Sequence, residues 1–113
     1  MENKELTIRE MQQVVDQYIT QFKEGYFPPL ELMARMAEEV GELAREVTHQ
    51  FGHKKKKPTE AESSLSMELA DCMFIIVCFA NSLQIDLETA FYQMMDKYNT
   101  RDANRWTRIV RDH

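Results

Sequence analysis

Two short groups of carboxylates carry the chemistry available to this chain of 113 residues. The first is Glu38-Glu39-Val40-Gly41-Glu42 and the second is Glu68-Leu69-Ala70-Asp71. Residues three or four apart share one face of an α-helix. On a helix, Glu39 and Glu42 therefore stand side by side, as do Glu38 and Glu42, and Glu68 and Asp71. Both groups border apolar positions. Glu39 flanks the apolar positions Met36, Val40 and Leu43, and Glu68 falls between the directions of Leu65, Cys72, Ile75 and Phe79. Each buried carboxylate loses several kcal/mol of solvation, and like charges repel, so such a cluster either takes up protons or holds a cation. Hard divalent cations prefer oxygen ligands, which points to magnesium, with manganese as a substitute. The competing readings are a solvated acidic stripe, and pairing of the glutamates with Arg35 or Arg45.

The elements that must position these acids read as helices. Three glycines and three prolines are few breakers, and Glu, Met, Leu and Ala are plentiful. A first helix is expected from about Leu6 to Lys23, with Ile8, Met11, Val15, Tyr18, Ile19 and Phe22 as its apolar stripe and Gly25 as its end. A second is expected from about Leu30 to Phe51, after Pro28 and Pro29. Its seam is Met33, Met36, Val40, Leu43 and Val47, and Gly52 is its stop. Thr59 with Glu62 resembles a capping box that would open a third helix running to about Leu83. The second half of that helix is apolar on all sides, as a buried central helix would be. Asp86 can cap a fourth helix striped by Leu87, Phe91, Met94, Met95 and Tyr98. The fold class expected is all-α, in a single domain spanning residues 1–113.

Composition narrows the function classes. A net charge of −5 gives no attraction to duplex nucleic acid, which is bound through phosphate neutralisation by Lys and Arg. The start, Met1 to Arg9, is polar and mixed in charge, unlike a signal peptide. The apolar run Cys72 to Ala80 is well short of the roughly 20 residues that span a bilayer. Cys72 and Cys78 read as buried reduced thiols. Together these favour a cytoplasmic protein that binds neither nucleic acid polymers nor membranes. A chain this short, with several apolar stripes, is expected to associate with copies of itself.

The pattern E-E-x-x-E, a gap of 25 residues, then E-x-x-D resembles the MazG family of nucleotide pyrophosphohydrolases, within the all-α NTP pyrophosphatase superfamily. The resemblance covers nearly the whole chain and extends to Phe22-Lys23-Glu24-Gly25-Tyr26-Phe27, to Ala80 through Glu88, and to Lys97-Tyr98-Asn99-Thr100-Arg101. It looks closest to the short single-domain members of the YpjD type. It implies a four-helix-bundle-like MazG fold assembled as a dimer or a dimer of dimers, with sites near the subunit interfaces. It also implies magnesium-dependent hydrolysis of nucleoside or deoxynucleoside triphosphates to monophosphate and pyrophosphate, with house-cleaning of non-canonical nucleotides as one role compatible with that activity. The positions matching the metal ligands are Glu39, Glu42, Glu68 and Asp71. Glu38 matches the additional acid, as the base that accepts a proton from water or as a further ligand. Lys97 and Arg101, four apart on the last helix, match positions that bind substrate phosphates, with a plain solvated basic face as the competing reading.

Other signals read as bland. His49 and His53 are four apart, but Gly52 ends the helix between them, so both read as loop histidines. Lys54 to Lys57 reads as a solvated loop that can steer anions. The eight methionines read as core or interface packing. Tyr26 and Trp106 could stack on a base, and Asn81 could read a base or cap a helix. Two other classes remain open: a nucleotide-sensing helical oligomer without turnover, and a purely structural bundle.

Overall fold

The computed structural model describes residues 3–52 and 64–110. The described residues form four α-helices: α1 (Ile8–Ile19), α2 (Pro29–Phe51), α3 (Leu65–Ser82) and α4 (Leu87–Thr100). α3 packs along α2 and against α1, and α4 packs on α1.

Local chemistry sets the helix ends. Thr7 and Glu10 form a reciprocal capping box at the start of α1. That helix stops at Ile19, short of the expected Lys23. The Thr20 hydroxyl donates to the Asp16 carbonyl, and the Phe22 and Gly25 amides donate three residues back, so the chain turns instead of continuing. Gly25 has a φ of 62°, which glycine adopts without steric cost. Pro29 opens α2 and Gly52 caps its end, as expected. The Thr59–Glu62 capping box lies outside the described residues. The described part of α3 opens at Ser64, whose hydroxyl accepts the Met67 amide.

α3 ends in a Schellman motif: the Gln84 amide donates to the Asn81 carbonyl and the Ile85 amide to the Ala80 carbonyl. The left-handed position falls on Gln84, with a φ of 58°. Asp86 caps α4, accepting from the Glu88 amide.

Burial corrects two expectations. The seam assigned to α2 is only partly its buried side: Met36 and Leu43 are half-buried, but Met33, Val40 and Val47 are exposed, whereas Leu32 and Glu46 are buried and Glu39 is half-buried. α2 thus turns a mixed apolar and acidic face toward α3 and leaves a second apolar stripe open. Nor is α3 enclosed on all sides. Cys72, Ile75, Val77, Cys78 and Ala80 are buried, but Leu69, Met73 and Ile76 are exposed. At 18 residues and a mean hydropathy of 1.5, α3 reaches the range of a membrane-crossing helix by length and composition alone, further than its central run suggests. In this fold its apolar character is used in packing on α1 and α2.

The chain is open as well as helical. Its accessible surface is 9683 Å², against about 6,500 Å² expected for a compact monomer of this mass. Its radius of gyration is 18.3 Å, against about 13 Å.

Gln12 holds three elements together. It is buried on α1, its amide nitrogen donates to Asn81 Oδ1 and to the Ile85 carbonyl, and its amide oxygen accepts the Leu87 amide at 2.9 Å. Asn81 Nδ2 in turn donates to the Gln12 carbonyl and to the Tyr26 hydroxyl. Removing the Gln12 amide strands several partly buried partners, each costing about 1–3 kcal/mol. Gln12→Ala is expected to lower stability to urea by about 2–4 kcal/mol, and Gln13→Ala, on the exposed neighbour, by less than about 0.5 kcal/mol. Equal midpoints for the two variants would refute this role.

Candidate functional site

The packing of α2 on α3 brings the two acid motifs face to face. Glu39 from α2 and Glu68 and Asp71 from α3 each place one carboxylate oxygen within 4.8 Å of the others. Glu68 is buried, Glu39 is half-buried and Asp71 is exposed at the mouth. Burial pushes the Glu39 carboxyl above its ordinary value, and the charges of Asp71, Glu68, Glu42 and Glu38 push it the same way. Cys72 lies beneath this group; burial raises its thiol, and Glu39, Glu68 and Asp71 add to the effect. Cys72 and Cys78 are both free and buried, as the sequence suggested.

The donor set fits a hard divalent cation. Ligands around magnesium lie about 3.0–4.2 Å apart at a metal–oxygen distance of roughly 2.1 Å, so three oxygens within 4.8 Å need only small side-chain adjustments to share one ion.

The other expected site residues are placed differently. Glu42 lies one turn beyond Glu39, is exposed, and stands 3.9 Å from Arg45 Nη1 rather than joining the three-oxygen group. Glu38 is exposed and also outside that group, although its charge is felt at Glu39. Lys97 and Arg101 sit at the far end of α4. Lys97 lies 5.3 Å from the ring of its neighbour Tyr98, and Arg101 Nε donates to Asp102. Neither borders the cavity beside the carboxylates, so within one chain the structure does not bring this pair to the acids.

That cavity, of about 400 Å³, opens directly beside Glu39 and Asp71. Its walls include the rings of Tyr18, Phe22, Phe27 and Phe74. Tyr18 packs edge-on to both Phe22 and Phe74, with centroids 5.3 and 6.2 Å apart. Tyr26 closes one end. Its hydroxyl donates to Asp16 Oδ1 at 2.6 Å and accepts from Asn81, and burial with the Asp16 bond pushes its pKa up to about 12. Sequence reasoning missed this pocket and the role of Gln12. The aromatic spacing in α1 gave a stripe, without showing that Phe22 and Phe27 would turn back toward α3. Trp106, considered for stacking, is exposed and lies away from the cavity, against Arg105.

Arg35 also borders the cavity. The competing reading paired it with the glutamates, but it stands over Phe27 instead, with its guanidinium carbon 4.7 Å from the ring centroid. His49 is a correction as well: it lies in the last turn of α2, half-buried, and not in a loop. His53 and Lys54 to Lys57 lie outside the described residues.

The raised Glu39 pKa fixes a pH dependence. A carboxyl whose folded pKa exceeds its unfolded value, near 4.5, contributes stability that is full below that value and is lost as pH rises through the folded pKa. In chelator, Glu39→Gln should therefore melt close to the parent at pH 4 and above it at pH 7. Added magnesium should reverse the order at pH 7 by stabilising the parent. Thermal melts at both pH values, with and without metal, check this. A parent that melts higher than the variant at pH 7 in chelator would remove the repulsion argument.

Comparison with known proteins bears on the family. Residues 27–106, which contain both acid motifs, match the MazG nucleotide pyrophosphohydrolase domain. The uncharacterised protein YpjD of Bacillus subtilis (strain 168) is 57% identical over 102 residues, covering 90% of this chain and 92% of its own length. The crystal structure of YPJD from Bacillus subtilis superposes with a TM-score of 0.76 at 54% identity, covering 88% of this chain and 100% of that one. A Bacillus-conserved MazG protein, described as a nucleotide pyrophosphohydrolase, superposes with a TM-score of 0.74, also at 54% identity, covering 89% of this chain and 96% of its own. With four helices, opposed acid motifs and a match over most of its length, this chain belongs to the MazG nucleotide pyrophosphohydrolase family.

Proposed function

We propose that this protein hydrolyses nucleoside or deoxynucleoside triphosphates to nucleoside monophosphate and pyrophosphate in a magnesium-dependent reaction, with manganese as a substitute. The observation that carries this reading is the meeting of three carboxylate oxygens at the mouth of an aromatic-walled cavity. Glu39, Glu68 and Asp71 would be the central metal ligands, with Glu42, one turn beyond Glu39 on the same helix, as a fourth. Bound there, magnesium would clamp phosphate oxygens and offset their charge. The base would lie among Tyr18, Phe22, Phe27 and Phe74.

The chemistry left to the protein is positioning and proton acceptance. A water oxygen adds to the α or the β phosphorus, the bond from that phosphorus to the oxygen bridging the two breaks, and nucleoside monophosphate and pyrophosphate separate. The water proton passes to a carboxylate, for which Glu38 is the candidate because it lies outside the three-oxygen group. Glu38 as a further ligand is the other role open to it. House-cleaning of non-canonical nucleotides in the cytoplasm is the setting proposed.

Self-association completes the reading. The exposed stripe Met33, Val40 and Val47 on α2 repeats every seven residues, and Leu69, Met73 and Ile76, spaced four and three apart, are exposed on α3. Such a surface suits helix-to-helix packing with a second copy, as a dimer or tetramer. In that assembly Lys97 and Arg101 would serve the phosphates at a neighbouring subunit's acids.

Two measurements test these points. Asp71→Asn should lose at least about a hundredfold in turnover, about 2.7 kcal/mol, while keeping its helical content. Near-parental turnover at saturating magnesium would remove Asp71 from the ligand set. Arg101→Ala should lower kcat/KM by about tenfold to a thousandfold with unchanged magnesium affinity. Mixing Asp71→Asn and Arg101→Ala subunits should then restore activity, because half the sites in a mixed dimer pair an intact acid cluster with an intact Arg101. Failure of mixed, refolded subunits to regain activity would confine each site to one chain.

A further inference from the structure

Among the described residues that border the cavity, Arg35 is the single basic side chain. It lies on α2 one turn before Glu39, and therefore on the same helix face as the carboxylates. A guanidinium placed so close to several acids would ordinarily fold onto them. Instead it stands over Phe27, and it forms no ion pair with a described carboxylate. Phe27 is well placed to hold it there. It follows Tyr26, whose hydroxyl is tied to Asp16 on α1 and Asn81 on α3, so the ring is carried by a segment braced from two helices. An aromatic face engages the flat surface of a guanidinium and leaves the N–H donors around its rim for other acceptors.

We infer that Arg35 binds the phosphate chain of the substrate from within the same subunit that supplies the metal ligands. This rests on the reading of the cavity as a nucleoside triphosphate site. Three carboxylates and one divalent cation leave the mouth of the cavity without surplus positive charge, and a polyphosphate brought there meets repulsion. Arg35 supplies the missing charge, and its fork suits pairs of phosphate oxygens. The stack on Phe27 keeps that fork from being quenched by Glu39 before substrate arrives.

The test separates phosphate from base. Binding of inorganic tripolyphosphate, which has no base to stack, is measured by calorimetry at fixed free magnesium for the parent, Arg35→Gln and Arg35→Lys. Hydrolysis of a panel of nucleoside triphosphates is followed in parallel. Arg35→Gln should weaken tripolyphosphate binding by about tenfold or more and flatten its dependence on ionic strength, with Arg35→Lys in between. A merely structural role would leave the salt dependence unchanged. Tripolyphosphate affinity in Arg35→Gln within about twofold of the parent overturns the inference, including when nucleotide binding falls, since the arginine would then serve the base. If Arg35→Gln does not fold, as judged by circular dichroism, Arg35→Lys decides by the same criterion, because it keeps the charge and loses the fork. A parent that neither hydrolyses any triphosphate nor binds tripolyphosphate overturns the functional reading itself.

Discussion

The structure is organised around a repulsion. Glu39, Glu68 and Asp71 are held with their oxygens within 4.8 Å of each other, an arrangement that three ionised groups resist. The contact between α2 and α3 must supply more than the acids take away. Leu32 and the buried face of α3, from Cys72 through Ile75 and Cys78, do this by burying apolar surface beside the charged end of the interface. The strong apolar character of α3 follows from that need.

α1 supplies a second restraint from the side. Gln12 ties α1 to the end of α3 and the start of α4, while Asp16 and Asn81 hold the Tyr26 hydroxyl. Arg9 adds ion pairs to Asp86 and Glu88, which are partly solvated and contribute modestly. The result is a polar joint on one side of the cavity and an aromatic wall on the other, with Tyr26 belonging to both. The joint fixes where the chain re-enters α2, and so fixes Phe27 and the helix that bears Glu39.

Much of this was legible in the sequence. Motif spacing placed Glu39, Glu68 and Asp71 on two helices, and Gly52 and Asp86 marked element ends correctly, whereas Gly25 marks a turn after α1 has already stopped at Ile19. Periodicity was less informative about which face is inside. On α2 it merged the half-buried Met36 and Leu43 with the exposed Met33, Val40 and Val47 into one seam, because hydrophobicity alone does not separate a face that packs within the chain from one left open by it. The buried face contains Glu39 and Glu46, which a hydrophobic count assigns to solvent. The arginines were ambiguous for a related reason: Arg35 and Arg45 both lie near glutamates in sequence, and only the approach of Phe27 from outside the helix distinguishes them. Gln12 carries no motif at all, and its role exists only once three chain segments meet.

One helix, α2, bears the carboxylate face on one side and the open stripe Met33, Val40 and Val47 on another. The two faces are rigidly geared. With side chains extending about 5–6 Å from a helix axis, a turn of α2 by roughly 10° displaces its carboxylate oxygens by about 1 Å. A misplacement of that size can cost about a hundredfold in rate. Whatever seats itself on the open stripe therefore sets the angular alignment of Glu39 against α3, and substitutions at Val40 or Val47 act as torque on groups they never touch.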